Sequence, residues 1–179
     1  MLKIINGELK TPDGVQLLSG INLEITQGQF TYFHGPNGVG KTSLIKGILG
    51  LGGMKLSGIT RKYQNYFYMP QIENKDFLLP LRIKDISSSG PFLSEEERMT
   101  MWNMASGGQR KKALIEKALV QDCDIYIFDE PYNHLDKKTI DSVNQSFLNL
   151  LDKKKTIIMI GHKLPEYDKL LKVDLSIWK

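Results

Sequence analysis

The sequence has 179 residues, 41% of them hydrophobic, which is enough for a single domain to bury a core without disulfides or structural metals. The net charge of +4 comes from 24 basic and 20 acidic side chains scattered along the chain, which gives no basic arm or stripe for nucleic acid. The single cysteine, Cys123, excludes an intrachain disulfide and, with no secretory signal in the sequence, favours a reducing compartment.

Short β-rich segments, separated by turn signals, open the chain. They lie at 2–7, 15–18, 21–26 and 29–35. These segments predict a small antiparallel sheet that leads into a core strand. A helical pattern follows at 41–51, and two further strands are predicted at 58–60 and 65–71.

No strand pattern is seen from 72 to 104, where short helices at 81–89 and 93–104 predict a helical subdomain. Afterwards predicted strands alternate with predicted helices, which is the pattern of βαβ units around a mostly parallel sheet. The strands are 124–130, 156–162 and a last one at 173–178, and the helices are 109–120 and 137–151. We therefore predict one α/β domain divided into a β-subdomain with the phosphate-binding core (1–71), the helical subdomain (72–104) and the rest of the core (105–179).

The stretch HGPNGVGKTSL, at 34–44, contains the spacing G-x-x-x-x-G-K-[ST] between a predicted strand and a predicted helix. Glycines let the main chain turn its NH groups inward, the helix presents its positive dipole end to phosphate, and Lys41 adds a charge. Thr42 supplies the hydroxyl that a Mg²⁺ ion needs. A glycine-rich turn that only begins a helix is the alternative, but the flanking elements favour bound nucleotide. The predicted nucleotide contacts are Gly35, Pro36, Asn37, Gly38, Val39, Gly40, Lys41, Thr42 and Ser43.

Two carboxylates, Asp129 and Glu130, follow a run of apolar β-forming residues. A parallel strand delivers such residues to a ligand crevice at its carboxyl end. Asp129 fits the acid that holds Mg²⁺ in phosphate-loop proteins, and Glu130 is placed to polarise a water against the terminal phosphate. A solvated strand end is the alternative interpretation. In the same segment, Asn133 and Asp136 are interpreted as a helix start and a helix cap.

Gln71 and His162 each end a predicted strand. A single glutamine or histidine at such a position is more often structural than catalytic. However, four predicted strands end in polar residues, near 35, 71, 129 and 162, and a parallel sheet gathers such ends along one edge. This coincidence favours a shared site.

The stretch SGGQ, at 106–109, lies directly before a predicted helix. Ser106 and Gln109 can form a capping box there. The three basic residues at 110–112 then place positive charge at the helix end that already carries the positive dipole, which is unfavourable unless an anion lies near. The pattern thus leaves two interpretations open, a helix cap and half of an anion site.

These motifs, in this order, resemble the nucleotide-binding domain of ATP-binding cassette (ABC) ATPases, and the likeness covers nearly the whole chain. The matching stretches are GPNGVGKT at 35–42, MPQ at 69–71, SGGQ at 106–109, IYIFDE at 125–130, NHLD at 133–136 and GHK at 161–163. SGGQ, the signature, is the most discriminating of them, because generic phosphate-loop kinases and GTPases have none.

The resemblance implies an ATPase that forms a head-to-tail homodimer, with two ATP molecules held between the phosphate loop of one subunit and the signature of the other. It implies that Gln71 touches Mg²⁺ and the attacking water, that His162 contacts the γ-phosphate, and that Asp136 belongs to a loop crossing the dimer interface. The implied catalytic residues are Lys41, Gln71, Glu130 and His162. The implied Mg²⁺ ligands are Thr42, Gln71 and Asp129. Further implied nucleotide contacts are Ser106, Gly107, Gly108, Gln109 and Asp136.

Two positions depart from the family's pattern. Thr11 stands where the family often places an aromatic side chain that stacks on adenine, which leaves the preference between ATP and GTP open. Ala105 replaces the usual leucine before the signature. The change reduces apolar volume but removes no group that donates a hydrogen bond to phosphate.

The resemblance also implies the ATP-hydrolysing subunit of an ABC transporter, cytoplasmic and peripheral on the inner face of the cell membrane, with a separately encoded integral membrane subunit docked on the helical subdomain. No apolar run reaches the roughly 20 uninterrupted residues of a membrane-spanning helix. Compactness favours a small exporter, of peptides or lipids.

Two other functions stay open. A soluble non-transport protein is one, because DEPYNHLD is similar to the corresponding stretch of ABC-F translation factors. Those factors, however, carry two cassettes and a charged linker in one chain. A regulatory cassette that binds nucleotide without hydrolysing it is the other, and the presence of both Glu130 and His162 argues against it.

Overall fold

A computed structural model describes residues 1–71, 80–161, 167 and 169–179 of the chain. The strands in these ranges are β1 (Leu2–Lys10), β2 (Gln16–Ile25), β3 (Phe30–His34), β4 (Lys55–Leu56), β5 (Ile59–Arg61), β6 (Tyr66–Met69), β7 (Ile125–Asp129), β8 (Thr156–Ile160) and β9 (Leu170–Asp174). The helices are α1 (Lys41–Leu49), α2 (Ile83–Ile86), α3 (Glu95–Arg98), α4 (Gly107–Val120) and α5 (Lys137–Asp152). Single 3₁₀ turns occupy Trp102–Met104 and Leu175–Trp178. Within the described ranges, no helix combines the length and the apolar character needed to cross a membrane.

Four of the strands form an antiparallel sheet in the order β2-β1-β4, with β5 also paired to β1. Along β1, Leu2 and Ile4 are buried, whereas Lys3 and Ile5 face solvent. This period of two is what a sheet with one covered face requires. The predicted N-terminal antiparallel sheet is confirmed, although β2 runs unbroken through two segments that were predicted as separate strands.

The other five strands form an all-parallel sheet in the order β6-β7-β8-β3-β9. Strands β7 and β8 are buried along their whole length, which explains their nearly unbroken apolar sequences. One face of the sheet packs against α1 and the antiparallel sheet, and the other packs against α4 and α5. The predicted core, a mostly parallel sheet flanked by helices, is confirmed.

The carboxyl ends of β3, β6, β7 and β8 lie along the same edge of this sheet. Pairing of Ile160 with Phe33 on one side and with Asp129 on the other brings the ends of β8, β3 and β7 to one level. The segments that leave this edge carry the phosphate loop, Gln71 and the acidic pair. His162, which was predicted beyond β8, lies outside the described residues.

The predicted last strand at 173–178 is confirmed only for Val173 and Asp174 and is wrong for the four residues that follow. β9 pairs with β3 but ends at Asp174, and the next four residues form a 3₁₀ turn. The Asp174 carboxylate accepts hydrogen bonds from the main-chain NH of Ser176, at 2.9 Å, and from its hydroxyl. It therefore caps the turn at the point where strand pairing stops.

The helical part consists of α2, α3 and the 3₁₀ turn before α4. Its apolar side chains pack against the start of α4 in a cluster of Ile83, Leu93, Trp102, Ala105 and Ala113. Ala105, at the position where the resemblance implies a leucine, is only 6% exposed, so the cluster closes around it. The predicted short helices are confirmed between 81 and 104. The other predicted residues of the subdomain, 72–79, lie outside the described ranges, and the three-part division of the chain stays a prediction.

A buried ion pair joins the helical part to α4. Arg98 and Glu116 are 2% and 1% exposed, and the two guanidinium Nη atoms donate to the two carboxylate oxygens at 2.8 and 3.1 Å. The carboxylate also accepts from the main-chain NH groups of Phe92 and Leu93, at 2.6 and 3.1 Å. The pair therefore fixes the loop between α2 and α3 on the side of α4.

Replacing Arg98 by Met should lower the free energy of unfolding by about 3–5 kcal/mol, because Glu116 would be left as a buried charge without its partner. Urea unfolding at neutral pH measures this change.

Glu95→Gln is the matched control. Glu95 is also an ion-pair partner of Arg98, at 3.7 Å, but its side chain is 94% exposed, so its loss should have little effect. Equal losses in the two variants would contradict the importance of burial.

Candidate nucleotide-binding site

A cleft of about 560 Å³ lies at the carboxyl edge of the parallel sheet. Its lining residues are Leu17, Asn37, Gly38, Gly40, Lys41, Thr42, Ser43, Gln71, Asp129, Glu130, Asn133 and Ile160. The fold thus brings most of the predicted phosphate loop together with Gln71 and both acids, which are far apart in sequence. Gly35, Pro36 and Val39 belong to the same loop but do not line the cleft, and Val39 is buried beneath it.

The phosphate loop connects β3 to α1 and leaves the start of that helix open. Gly35 and Gly40 have φ values of 138° and 106°, which glycine adopts without the strain that other residues would suffer. No side chain caps α1 and no acidic residue lies in its first turn, so its NH groups and positive dipole end are available to an anion. Lys41 donates from Nζ to the carbonyls of Gly35 and Pro36, at 2.8 and 3.1 Å, and is thereby held against the loop.

Thr42 and Asp129 are in direct contact at the floor of the cleft. The Thr42 hydroxyl donates to Oδ2 of Asp129 at 2.7 Å, and Asp129 is 1% exposed. Burial raises the pKa of the Asp129 carboxyl, although the hydrogen bond from Thr42 and the nearby lysines oppose the rise. A buried carboxylate whose charge is disfavoured is a natural site for a cation.

These oxygen donors fit Mg²⁺, which binds proteins through one or two carboxylates or hydroxyls and completes its shell with water and phosphate. The described residues hold no group of three or more His, Cys, Asp or Glu side chains that would bind a metal without such help. The buried Tyr68 hydroxyl has no hydrogen-bond partner within the described ranges. Burial, together with the charge of Asp129, raises the pKa of Tyr68 to about 12, so this hydroxyl keeps its proton and can donate to an oxygen.

Glu130 is held by hydrogen bonds on its main chain and on its side chain. Its φ of 53° lies in the left-handed region, its NH donates to the carbonyl of Ile160 at 2.8 Å, and its own carbonyl accepts from Nζ of Lys111. The carboxylate accepts from the amides of Gln71, at 3.4 Å, and Asn133. Neither Lys111 nor Asn133 was predicted to take part, because nothing in their local sequence indicates a contact with Glu130.

The signature forms the start of α4 and lies outside the cleft. Ser106 and Gln109 make the predicted capping box, with distances of 2.9 and 3.2 Å between side-chain oxygens and main-chain nitrogens. Ser106 and Gly107 are exposed. The structure therefore shows the helix cap, whereas a phosphate contact of the signature stays a prediction.

Two of the three basic residues after the signature have hydrogen-bond acceptors within the chain. Arg110 donates to the carbonyls of Trp102 and Asn103, both at 2.8 Å, and Lys111 donates to the carbonyl of Glu130. These carbonyl oxygens accept hydrogen bonds from both cationic side chains, so neither needs an anion as its acceptor. Sequence spacing did not indicate this, because the acceptors are main-chain atoms of other segments.

The segment before α5 contacts the signature from the side. Asp136 caps α5, as predicted, by accepting from the NH of Thr139 at 2.8 Å. His134 has a φ of 65°, and a Cβ at Gly108 would lie 2.7 Å from its carbonyl oxygen, so only glycine allows this approach. Gly107 lies beside the His134 ring, where an added Cβ would make ordinary contact at 3.4 Å.

A family model described as ABC transporter matches residues 18–67 of the chain. The chain is 31% identical over 155 residues to the lactose transport ATP-binding protein LacK of Rhizobium radiobacter, a match that covers 71% of this chain and 43% of LacK. It is 26% identical to the zinc transport system ATP-binding protein TroB of Treponema pallidum, covering 90% of this chain and 74% of TroB. It is 29% identical to the manganese transport system ATP-binding protein MntB of Bacillus subtilis, covering 83% and 72% of the two chains.

A solved structure described as a metal-chelate type ABC transporter in an inward-facing conformation has a similar fold. The TM-score is 0.69 at 19% sequence identity, and the alignment covers 90% of this chain and 73% of that one. The chain spans less than half the length of LacK and about three quarters of the other proteins named here.

Replacing Asp129 by Asn should make the nucleotide-free protein more stable at about pH 7. The pKa of Asp129 is raised by burial, so its ionised form opposes folding at every pH above the raised value. Asparagine removes the charge and keeps an acceptor for Thr42. The gain in the free energy of unfolding should shrink as the pH falls from the raised pKa toward 3.8, where the wild-type carboxyl becomes neutral in both states. Urea unfolding at about pH 7 and about pH 4 measures it.

Asp122→Asn is the control and should have the opposite sign. A hydrogen bond from Lys155 lowers the pKa of Asp122, so its charge stabilises the fold above the unfolded pKa, and this contribution is lost as the pH falls through the lowered value. A loss of stability in Asp129→Asn at about pH 7 would contradict the dominance of burial at that residue.

Proposed function

Because this chain resembles ABC ATPases and is similar to several transport ATP-binding proteins, we propose that it belongs to that family and is the ATP-hydrolysing subunit of a transporter. The observation that carries the proposal is the cleft in which the phosphate loop, Gln71, Asp129 and Glu130 face one another. A phosphate loop opposite a buried acid and a second, oriented acid is the arrangement that transfers a phosphoryl group to water.

In this proposal the phosphate loop and Lys41 bind the phosphates of ATP. The Lys41 ammonium is already held by the carbonyls of Gly35 and Pro36. The side chain therefore loses little conformational entropy when a nucleotide binds. Thr42, Asp129 and Gln71 would hold Mg²⁺, which neutralises charge on the phosphate oxygens when bound. The 2.7 Å contact between Thr42 and Asp129 keeps two of these side chains at one point of the cleft.

Glu130 is the proposed general base. The amides of Gln71 and Asn133 donate to its carboxylate and aim it along the cleft. An ionised carboxylate in this position accepts the proton of the water that attacks the γ-phosphate. Gln71 directly precedes the segment that leads to the helical part, so its contact with Glu130 links that part to the base. His162 is proposed as a γ-phosphate contact on the resemblance alone.

A second subunit is proposed to complete each ATP site. The signature of the same chain lies outside the cleft. Its exposed Ser106 and the open NH groups of Gly107 and Gly108 can donate hydrogen bonds to a phosphate. Head-to-tail pairing would place these donors, and the nearby Asp136 segment, against the phosphate loop of the partner. Each chain then contributes two different half-sites.

Leu17 is a candidate contact for the nucleobase. Thr11 closes the turn between β1 and β2, where its main-chain NH bonds to the carbonyl of Val15 at 2.9 Å, and it does not line the cleft. Leu17, farther along β2, does line the cleft and offers an aliphatic surface. A contact of this type binds a purine ring without distinguishing adenine from guanine.

The proposed partner is an integral membrane protein, with this chain peripheral on the cytoplasmic face. Two methionines of the helical part, Met99 and Met104, are 48% and 78% exposed and give that part an apolar surface for docking. The relatives named above are ATP-binding proteins of zinc, manganese or lactose transport, which does not support the predicted peptide or lipid exporter. A divalent transition metal is therefore the cargo that we propose.

Replacing Glu130 by Gln should leave ATP binding intact and lower turnover by about 10²- to 10³-fold, because the acceptor for the water proton is lost. The ATP-bound dimer should then persist. Phosphate release and size-exclusion chromatography with ATP and Mg²⁺ measure the two effects.

Two variants control this experiment. Lys41→Ala should abolish ATP binding itself, and Ser106→Arg in the Glu130→Gln background should bind ATP as a monomer without forming the trapped dimer. Hydrolysis at the wild-type rate by Glu130→Gln would contradict the role of the base, and a trapped dimer of the Ser106→Arg protein would contradict the role of the signature.

Membrane association separates transport from the soluble alternative. The tagged chain should co-purify from detergent-solubilised membranes with an integral membrane protein, and Met104→Glu should reduce its recovery because a charge would be buried at the docking surface. Val120→Glu, at a residue that is 71% exposed on the far end of α4, is the control. Recovery with ribosomes instead of membranes would contradict the transport proposal.

A further inference from the structure

Lys111 is a buried cation in the second turn of α4. It is only 4% exposed, and its ammonium donates to the main-chain carbonyl of Glu130. Burial lowers the pKa of this lysine, while the carboxylates of Glu130 and Asp129 oppose the shift. A lysine so enclosed carries a desolvation cost, which its fixed acceptor and the nearby acids offset.

Glu130 needs an anchor on its carbonyl side. A left-handed φ is unfavourable for glutamate, and the following Pro131 favours an extended backbone at this position instead. Ile160 fixes the NH of Glu130, and Lys111 fixes the carbonyl. The direction in which the Glu130 side chain leaves the main chain therefore depends on both contacts.

The same helix carries the signature. Ser106 caps α4 and Lys111 lies five residues later, a rise of about 7.5 Å along the helix axis. Arg110, between them, ties this end of α4 to the carbonyls of Trp102 and Asn103. A displacement of the signature thus moves the Lys111 ammonium with it.

We propose that Lys111 is a positioning residue that couples the signature of a subunit to the Glu130 of the same subunit. This coupling rests on the proposed function, in which the signature contacts the ATP held by the partner subunit. In the same proposal, Glu130 is the general base for the ATP held by its own chain. Docking of the signature on the partner's nucleotide then sets the orientation of the base at the other site through one hydrogen bond.

Lys111→Met tests the proposal, because it keeps the apolar stem and removes the donor. The kcat for ATP hydrolysis should fall by about tenfold or more while the KM for ATP changes by less than about twofold. Wild-type activity per subunit should rise with protein concentration as dimers form, and this rise should be lost in Lys111→Met. Lys111→Arg, which restores a donor, should recover part of kcat.

Lys117→Met is the matched control, since it makes the same change six residues farther along α4 and should leave kcat unchanged. In the Glu130→Gln background, Lys111→Met should still allow the ATP-trapped dimer, because the signature itself is intact. Thermal unfolding confirms that each variant is folded. If Lys111→Met is unfolded, the comparison of Lys111→Arg with Lys111→Gln, whose side chain is shorter and uncharged, gives the same kcat test.

The outcomes separate this inference from the proposed function. A wild-type chain that binds ATP with Mg²⁺ but never hydrolyses it would overturn both together. An active wild type whose Lys111→Met variant keeps its kcat and its concentration dependence would overturn the coupling alone. Failure of the double variant to dimerise would also overturn it, because Lys111 would then support the signature and not the base.

Discussion

The parallel pairing of β8 between β3 and β7 is the constraint on which the candidate site depends. It places the phosphate loop after β3 and the acidic pair after β7 at the same edge, two strand spacings or about 10 Å apart. The hydrogen bond from Thr42 to Asp129 crosses this gap and defines the floor of the cleft. Because β7 and β8 are buried on both faces, a shift in their register would disrupt the core as well as the site.

Charge burial at this edge follows one rule, in which each ion is held by a specific partner. Burial makes ionisation of Asp129 harder and protonation of Lys111 harder, while their opposite charges moderate both effects. Lys41, 8% exposed, is held by two carbonyls. The protein thus arranges polar groups around the cleft during folding, so that a charged ligand meets oriented groups and not loosely held water.

Local sequence patterns predicted the phosphate loop, the acids at 129 and 130, and the capping box of Ser106, because each depends on neighbours within a few residues. The pattern at 173–178 misled, since the Asp174 cap outweighs the strand tendency of the apolar residues that follow. The contacts of Glu116 and Lys111 were not predictable, because their partners lie 18 and 19 residues away and meet them only through packing of the helices and strands.

The charged anchors of α4 have a mechanical consequence. Arg110, Lys111 and Glu116 attach this helix to three different segments through hydrogen bonds of fixed length and direction. Apolar side chains can slide past one another by small amounts at little cost, whereas a hydrogen bond weakens steeply when its geometry is distorted. The helix is therefore held at three places by directional contacts, so a displacement of its signature end strains its contacts with the strand edge and with the helical part.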